Sequence, residues 1–206
     1  MTRISTLALT IAASSIALSA CADNDPTRGN GTIVGNADTP VPIETNMAAG
    51  NSTMAGVPTS ANFTGGDGRL LGNVTVSEDP AGLVMNINGV GMPAGVHGIH
   101  LHEKGLCEGP KFESAGGHWN PAGKRHGRDN PEGAHAGDLT NLTVAADGTA
   151  TVSVPVAGAK VASGNMMLAD ADGTALVIHA KADDYKTDPS GNSGDRIACA
   201  VVAPPR

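Results

Sequence analysis

The chain has 206 residues, a formal net charge of −7, and only one Trp, one Tyr and two Phe. Acidic residues outnumber basic residues 20 to 13, so no overall electrostatic attraction to nucleic acid is expected. The scarcity of aromatic rings also removes the stacking surfaces that single-strand binders use. These properties argue against nucleic-acid binding, and the 28 glycines and 13 prolines predict many turns.

The N-terminus has the pattern of an export signal. Arg3 supplies a positive start, and residues 4–18 are apolar or small and carry no charge. That run is too short to span a bilayer comfortably but suits the hydrophobic region of a signal peptide. It ends in Leu-Ser-Ala-Cys at residues 18–21, which resembles the bacterial lipobox. We predict a lipoprotein-type signal peptide over residues 1–20 and lipidation of Cys21. The alternative is an ordinary signal peptide with a chance cysteine.

The two remaining cysteines are Cys107 and Cys199. An exported protein meets an oxidising compartment, where such a pair is usually a disulfide, although two free buried thiols are the alternative. We therefore expect a protein of the bacterial cell envelope, in the periplasmic space, held at a membrane through Cys21.

The segment after the anchor has little capacity to fold. Asn, Asp, Thr, Gly, Pro and Ala dominate residues 22–59, with only isolated apolar pairs. This composition predicts a lipid-anchored flexible tether over residues 21–59, with an extra strand as the alternative. The folded domain is then expected over residues 60–206.

Short strand-like segments separated by turn residues follow the tether. No long stretch has a helical period, so we predict an all-β sandwich or barrel. The best strand candidates lie at residues 70–77, 83–90, 96–102, 139–144, 149–156, 175–180 and 196–202. Two turn-rich segments, residues 103–133 and 181–195, are too long for simple connections, and loops of that length are usually functional.

Six of the seven histidines can be grouped as metal ligands. His100 and His102 share one face of a strand candidate because side chains alternate with a period of two, whereas His97 should lie on the other face with a structural role. His118, His126, His135 and Asp138 lie in or just after the first long loop, which lacks the apolar residues to hold its own shape. A metal ion would supply that ordering. Exposed strand histidines and solvated loop histidines are the alternatives.

The spacing of these residues suggests two sets of ligands that share one histidine. Four imidazole nitrogens suit a distorted square-planar Cu(II) site, and three imidazoles with a carboxylate suit a tetrahedral zinc site. The copper set would be His100, His102, His118 and His179; the zinc set would be His118, His126, His135 and Asp138. His118 would then bind one metal through each ring nitrogen.

Five segments of the sequence together resemble the copper/zinc superoxide dismutase family. They are GVHGIHLHE at residues 95–103, GHWNP at 117–121, HAGDL at 135–139, VIHAKADD at 177–184 and GDRIAC at 194–199. The resemblance covers about residues 60–203, and its spacings are similar to those of the bacterial branch. Ala180 stands where many members have Glu, and the tether lies outside the family pattern.

The resemblance implies a Greek-key β-barrel with the two long loops over one copper and one zinc ion per subunit, bound by the two sets above. It also implies a Cys107–Cys199 disulfide, and a role for Asp183 in hydrogen-bonding one histidine of each set. The implied activity is disproportionation of superoxide to dioxygen and hydrogen peroxide. The alternative is a non-catalytic copper- and zinc-binding envelope module on the same scaffold.

Three residues are candidates for proton transfer and for guiding the substrate. His118 would deliver a proton to the departing peroxide. Arg196 would position superoxide beside copper, or alternatively order the loop by contacts with its carbonyls. Lys186 would steer the anion at longer range, with a solvated loop lysine as the alternative. Membrane attachment and a possible homodimer complete the expected partners.

Overall fold

The computed structural model describes residues 53–54, 57–58 and 60–206. The predicted signal peptide, Cys21 and most of the predicted tether lie outside these residues. Two short strands, β1 (Thr53–Met54) and β2 (Val57–Pro58), pair antiparallel near the end of the predicted tether. Within the described part of the chain, no helix is long and apolar enough to cross a membrane.

The regular secondary structure of the described residues is antiparallel strand apart from one short 3-10 helix, Glu113–Ala115, which confirms the all-β prediction. Its remaining strands are β3 (Ser60–Gly65), β4 (Leu70–Asp79), β5 (Gly82–Gly89), β6 (Gly95–His97), β7 (Ile99–His102), β8 (Leu142–Val144), β9 (Ala150–Ala157), β10 (Thr174–His179) and β11 (Arg196–Ala203). Seven of them form one sheet in the order β7-β10-β11-β3-β4-β5-β9, and β6 pairs with β8 separately. The sheet curls into a half-barrel, with the non-sequential neighbours β7–β10 and β11–β3 of a Greek-key arrangement.

Two of the differences from the predicted strands are the division at Gly98 and the presence of β3. The segment predicted at residues 96–102 is divided at Gly98 into β6 and β7. Gly98 leaves the ladder because its N–H donates to Lys181 O and its carbonyl accepts the N–H of His179. The sequence also gave no sign of β3, in which Phe63 is the only large apolar side chain.

Strand β10 is buried on both faces because it separates two apolar clusters. Leu176 and Ile178 face the main core, while Ala175 and Val177 pack beneath the first long loop with Phe112. This double burial explains the unbroken apolar run that ends at the strand's histidine. The core side therefore fixes β10 in the sheet, and the outer side supports the metal loop.

The disulfide predicted from the cysteines is present. Cys107 and Cys199 are bonded, with their Cα atoms 5.6 Å apart. Cys199 is buried in the smaller cluster beside Val177, and Cys107 packs against that cluster. The bond thus ties the first long loop to β11.

Candidate metal centre

The first histidine group lies on the outer face of β7 and β10. His100 and His102 alternate with the core residues Ile99 and Leu101, as the period of two requires. In the β7–β10 register His100 lies opposite Val177, whose side chain shares the outer face with His179. These three rings are therefore carried by the neighbouring strands β7 and β10.

His118 completes a group of four nitrogens. Its backbone forms a bridge to His102, and each residue of the group offers one ligand atom within 4.8 Å of the others. Among the buried side-chain atoms of the described residues, four lack any hydrogen-bond partner: His100 Nδ1, His102 Nε2, His118 Nε2 and His179 Nε2. One unpartnered nitrogen thus comes from each ring of the group.

Hydrogen bonds at the other ring nitrogens explain why three of these four atoms present lone pairs. His100 Nε2 donates to Asp183 Oδ2 at 2.8 Å, and His102 Nδ1 donates to Gly116 O at 3.0 Å. His179 Nδ1 donates to the carbonyl of residue 194 at 3.2 Å. A neutral imidazole that donates through one nitrogen has an unprotonated second nitrogen. Such buried lone pairs fit a metal that prefers nitrogen ligands.

The second group converges on one carboxylate oxygen. Asp138 Oδ1 lies 2.9 Å from His118 Nδ1, 3.0 Å from His126 Nδ1 and 3.2 Å from His135 Nδ1. The other carboxylate oxygen of Asp138 accepts the backbone N–H groups of Gly127 and His135. Three imidazoles and one carboxylate without a thiolate fit a closed zinc site.

His118 faces both groups through different atoms. Its Nδ1 belongs to the second group, and its unpartnered Nε2 belongs to the first. A second set of ligand atoms within 4.8 Å of one another combines His100 with His118, His126 and Asp138. However, His100 Nε2 is occupied by Asp183 and its Nδ1 belongs to the first group, so His135 is the better fourth member.

Asp183 connects the two groups by hydrogen-bonding one histidine of each. Its Oδ2 accepts from His100 and its Oδ1 accepts from His126, at 2.8 and 3.0 Å. The carboxylate is buried, and these contacts lower the pKa of Asp183 against the opposing effect of burial. Carboxylates in this position fix the orientation and tautomer of ligand rings.

The two groups differ in electrostatics. Burial, with repulsion between neighbouring rings and Arg196, lowers the pKa of His102 to about 2 and of His179 to about 3. Burial also lowers the pKa of His118 to about 4, against the attraction of Asp138. Burial acts on His126 in the same direction, but Asp138 and Asp183 outweigh it and raise the pKa to about 9.

Arg196 reaches the first group through a register shift. The β10–β11 pairing shifts between Ile178 and His179, which places Arg196 opposite His179. A one-residue shift moves a side chain to the other face of a sheet. The guanidinium donates to Phe112 O and Gly116 O, both at 2.6 Å. Gly116 O also accepts from His102, so Arg196 and a ligand ring share one carbonyl.

An open cavity of about 600 Å³ adjoins Arg196. Lys111 and Glu113 line it, and their side chains are both 80% exposed. Lys186 is also exposed, but its backbone lies against Gly127 and it does not line this cavity. The structure therefore brings Arg196 to the first group and leaves Lys186 beside the second.

His97 has the structural role expected for it. Its ring is buried, with Nδ1 2.7 Å from the carbonyl of His179 and Nε2 2.9 Å from the carbonyl of Pro93. It contributes to neither group.

A family model for copper/zinc superoxide dismutase matches residues 70–202. The chain belongs to this family. A copper/zinc superoxide dismutase of Caulobacter vibrioides is 45% identical over 140 residues, covering 66% of this chain and 80% of the relative. One from Aquifex aeolicus is 43% identical over 139 residues, covering 66% and 81%.

Solved structures of superoxide dismutases and related proteins share the fold. A superoxide dismutase-like protein from Bacillus subtilis matches with a TM-score of 0.68 and 40% identity, covering 71% of this chain and 99% of that one. The copper/zinc superoxide dismutase of Brucella abortus matches with a TM-score of 0.56 and 30% identity, covering 70% and 98%. As a copper/zinc superoxide dismutase family member, the chain is a metal-binding enzyme, and family membership implies copper and zinc as its metals.

Sequence reasoning missed several residues around this dismutase site. Asn141, Tyr185 and Lys111 lie in loops or just before a strand, where spacing gives no sign of their contacts. The carbonyl of Gly116 has no sequence signal either, because any residue carries one. Their positions depend on how the two loops pack together.

Proposed function

We propose that this chain dismutates superoxide in the bacterial envelope, with copper bound by the first group and zinc by the second. The observation that supports this most directly is the set of four buried, unpartnered nitrogens, one on each of His100, His102, His118 and His179. Family membership and relatives named as dismutases support the activity. A non-catalytic metal-binding module is not favoured.

The chain supplies orientation and a proton to this reaction. A bound copper ion would supply the one-electron chemistry by which two superoxide ions and two protons give dioxygen and hydrogen peroxide. When it is not bound to metal, His118 Nε2 holds one of these protons and delivers it to the departing peroxide, and the second proton comes from solvent. The contact of Nδ1 with Asp138 keeps the ring in place. Arg196 positions the anion by charge and hydrogen bonding.

Attraction of the substrate has to work against the negative charge of the whole chain. Arg196 acts at short range because it lies opposite His179. Lys186 adds positive potential at longer range on the exposed surface. Charges more than about 10 Å from the path are screened at about 0.1 M salt, so only nearby residues contribute.

The decisive test is a superoxide assay on protein loaded with defined metals, with copper and zinc content measured on the same samples. We expect activity in protein that carries both metals, and none in protein that carries zinc alone. Fully loaded protein without activity would contradict the catalytic function and favour the metal-binding alternative.

We also propose export and lipid anchoring through Cys21. The disulfide supports an oxidising compartment, as does the sequence pattern at residues 1–21. Cys21→Ser should move the protein from the membrane fraction to the soluble periplasmic fraction, because stable anchoring needs the acyl chains. Membrane retention of that variant would contradict the anchor. Sedimentation velocity would test the possible homodimer.

A further inference from the structure

Tyr185 is a residue at which the two long loops meet. Its φ of 61° lies in the left-handed region, which non-glycine residues adopt rarely. Its N–H donates to Asp183 Oδ1 at 2.6 Å, and its carbonyl accepts the N–H of Asp129 at 3.0 Å. A Cβ added at Gly127 would lie 2.1 Å from that carbonyl oxygen. The backbone of Tyr185 therefore packs directly against the loop that carries His126.

The hydroxyl of Tyr185 connects the same loop to the residue before β8. It accepts the backbone N–H of Asn141 at 2.8 Å. The side chain of Asn141 holds the backbone of Asp183 in both directions, since Nδ2 donates to Asp183 O at 3.0 Å and Oδ1 accepts the Asp183 N–H at 2.9 Å. Asp183 is thus fixed by Asn141 on one side and by Tyr185 on the other.

The ring of Tyr185 is covered by Arg128. The guanidinium carbon of Arg128 lies 3.7 Å from the ring centroid, in the geometry of a cation–π contact. Both residues line a cavity of about 140 Å³ that also reaches Asp138. The pair of side chains therefore covers one approach to the carboxylate at the centre of the second group.

We propose that Tyr185, covered by Arg128, is a positioning residue that holds Asp183 against His100 and His126 and slows the release of zinc. The hydroxyl acts through Asn141, and the ring with its guanidinium restricts access to Asp138. This inference rests on the proposed zinc site. Tyr185 would thus support the site without touching either metal or the substrate.

The test is the rate of zinc release from the copper- and zinc-loaded protein to an excess of a chromogenic chelator. Tyr185→Phe removes one hydrogen bond and should accelerate release about twofold to tenfold. Tyr185→Leu removes the ring as well and should accelerate it about tenfold or more, since losing contacts behind ligands costs about 10- to 100-fold in metal affinity. Its copper(II) EPR spectrum should also shift, because His100 loses its fixed Asp183 partner.

Arg128 provides an independent arm of the same test. Arg128→Gln should accelerate release in the parent but not in the Tyr185→Leu background, because a guanidinium without its ring has no contact left to lose. Lys124→Gln removes a charge from the same loop and should release zinc at the parent rate. Ile87→Val removes a methyl group from the core and controls for general destabilisation.

The proposal would be overturned if Tyr185→Leu released zinc at the parent rate. It would also be overturned if Tyr185→Leu released zinc no faster than Ile87→Val when the two are compared at equal unfolding free energy. Equal acceleration by Lys124→Gln and Arg128→Gln would also overturn the role of the ring contact. A parent protein that takes up no zinc would overturn the proposed site itself, which this experiment detects before any variant is compared.

Discussion

The two metal groups are held in contrasting ways. The first group, for which we propose copper and which we call the copper group, is set mainly by strands, since His100, His102 and His179 project from β7 and β10 over a packed core. The second group, for which we propose zinc and which we call the zinc group, is set by a loop, and its three imidazoles converge on Asp138. The first group offers free lone pairs, whereas the second is held together by the contacts of its imidazoles with the Asp138 carboxylate. The difference indicates that the sheet can prepare one site without metal, while the loop needs charge or metal to keep its shape.

His118 belongs to both groups, so its removal should have the largest effect. His118→Ala should abolish dismutation, shift the copper(II) EPR spectrum and lower zinc affinity by more than about 100-fold, above the usual effect of outer contacts. Metal titration with EPR measures both metals.

The matched variants are His102→Ala and His135→Ala. The first should impair copper binding and spare zinc, and the second should impair zinc and leave copper bound. Unchanged zinc affinity in His118→Ala would refute the shared ligand.

The disulfide should support the copper side more than the zinc side. Replacing Cys107 and Cys199 with Ala should lower the free energy of unfolding by about 2–5 kcal/mol, because the bond closes a long loop. It should also lower kcat/KM, since the loop that presents Gly116 O to Arg196 is released from β11.

Calorimetry and stopped-flow kinetics on metal-loaded protein would measure these two effects. Ile87→Ala is the control, because it should lower stability by a similar amount, about 2–5 kcal/mol, without touching the loop. A disulfide variant with the parent's kcat/KM would show that Arg196 needs no support from the bond.

Proton release should distinguish the groups at neutral pH. His126 carries a proton in the metal-free protein because its pKa is raised to about 9. Zinc must displace this proton, so zinc binding at about pH 7.5 should release about one proton from His126. The copper rings of His102, His118 and His179 have lowered pKa values of about 2, 4 and 3, so copper binding to zinc-free protein should release almost none from them.

Titration calorimetry in two buffers of different ionisation enthalpy measures this difference. Equal proton release by both metals would contradict the contrast between the two groups.

The same pKa values predict how the stability of the metal-free protein depends on pH. The contribution of His126 is complete below pH 6.5 and lost as pH rises through about 9. The contribution of the three copper rings is complete above pH 6.5 and lost as pH falls towards their folded pKa values.

Steering should give the smallest effects and should depend on which group a charge adjoins. Arg196→Ile should lower the second-order rate most, with both metals retained. Lys111→Glu, at the cavity beside Arg196, should lower it less and flatten its decline with salt. Lys186→Glu, beside the zinc loop, should act in the same direction more weakly. Each of these decreases is a part of the total effect of steering on the association rate, which is roughly 10- to 1000-fold.

Pulse radiolysis across ionic strengths compares the parent with these three variants. Unaltered copper spectra would serve as the control that the site itself is intact. Identical rates and salt slopes in all four proteins would mean that none of these residues guides the substrate.

The sequence was sufficient for the parts of the site that follow strand periodicity. The alternation in residues 100–102 placed two rings on one face, and the apolar run before His179 placed the third. It was insufficient where one residue changes the register, as at the shift that sets Arg196 opposite His179. It also gave no sign of the contact between Tyr185 and Asn141, because that contact exists only after two loops have folded against each other.

The carbonyl of Gly116 has a consequence for how such a chain can evolve. It accepts from both Arg196 and His102, and its φ of 75° and ψ of −152° suit glycine alone. A Cβ there would also lie 2.7 Å from Glu103 Oε1. One peptide plane thus sets both the charge that attracts the substrate and the tautomer of a ligand ring. A mutation at this residue changes both traits together, so selection cannot adjust one of them through Gly116 without altering the other.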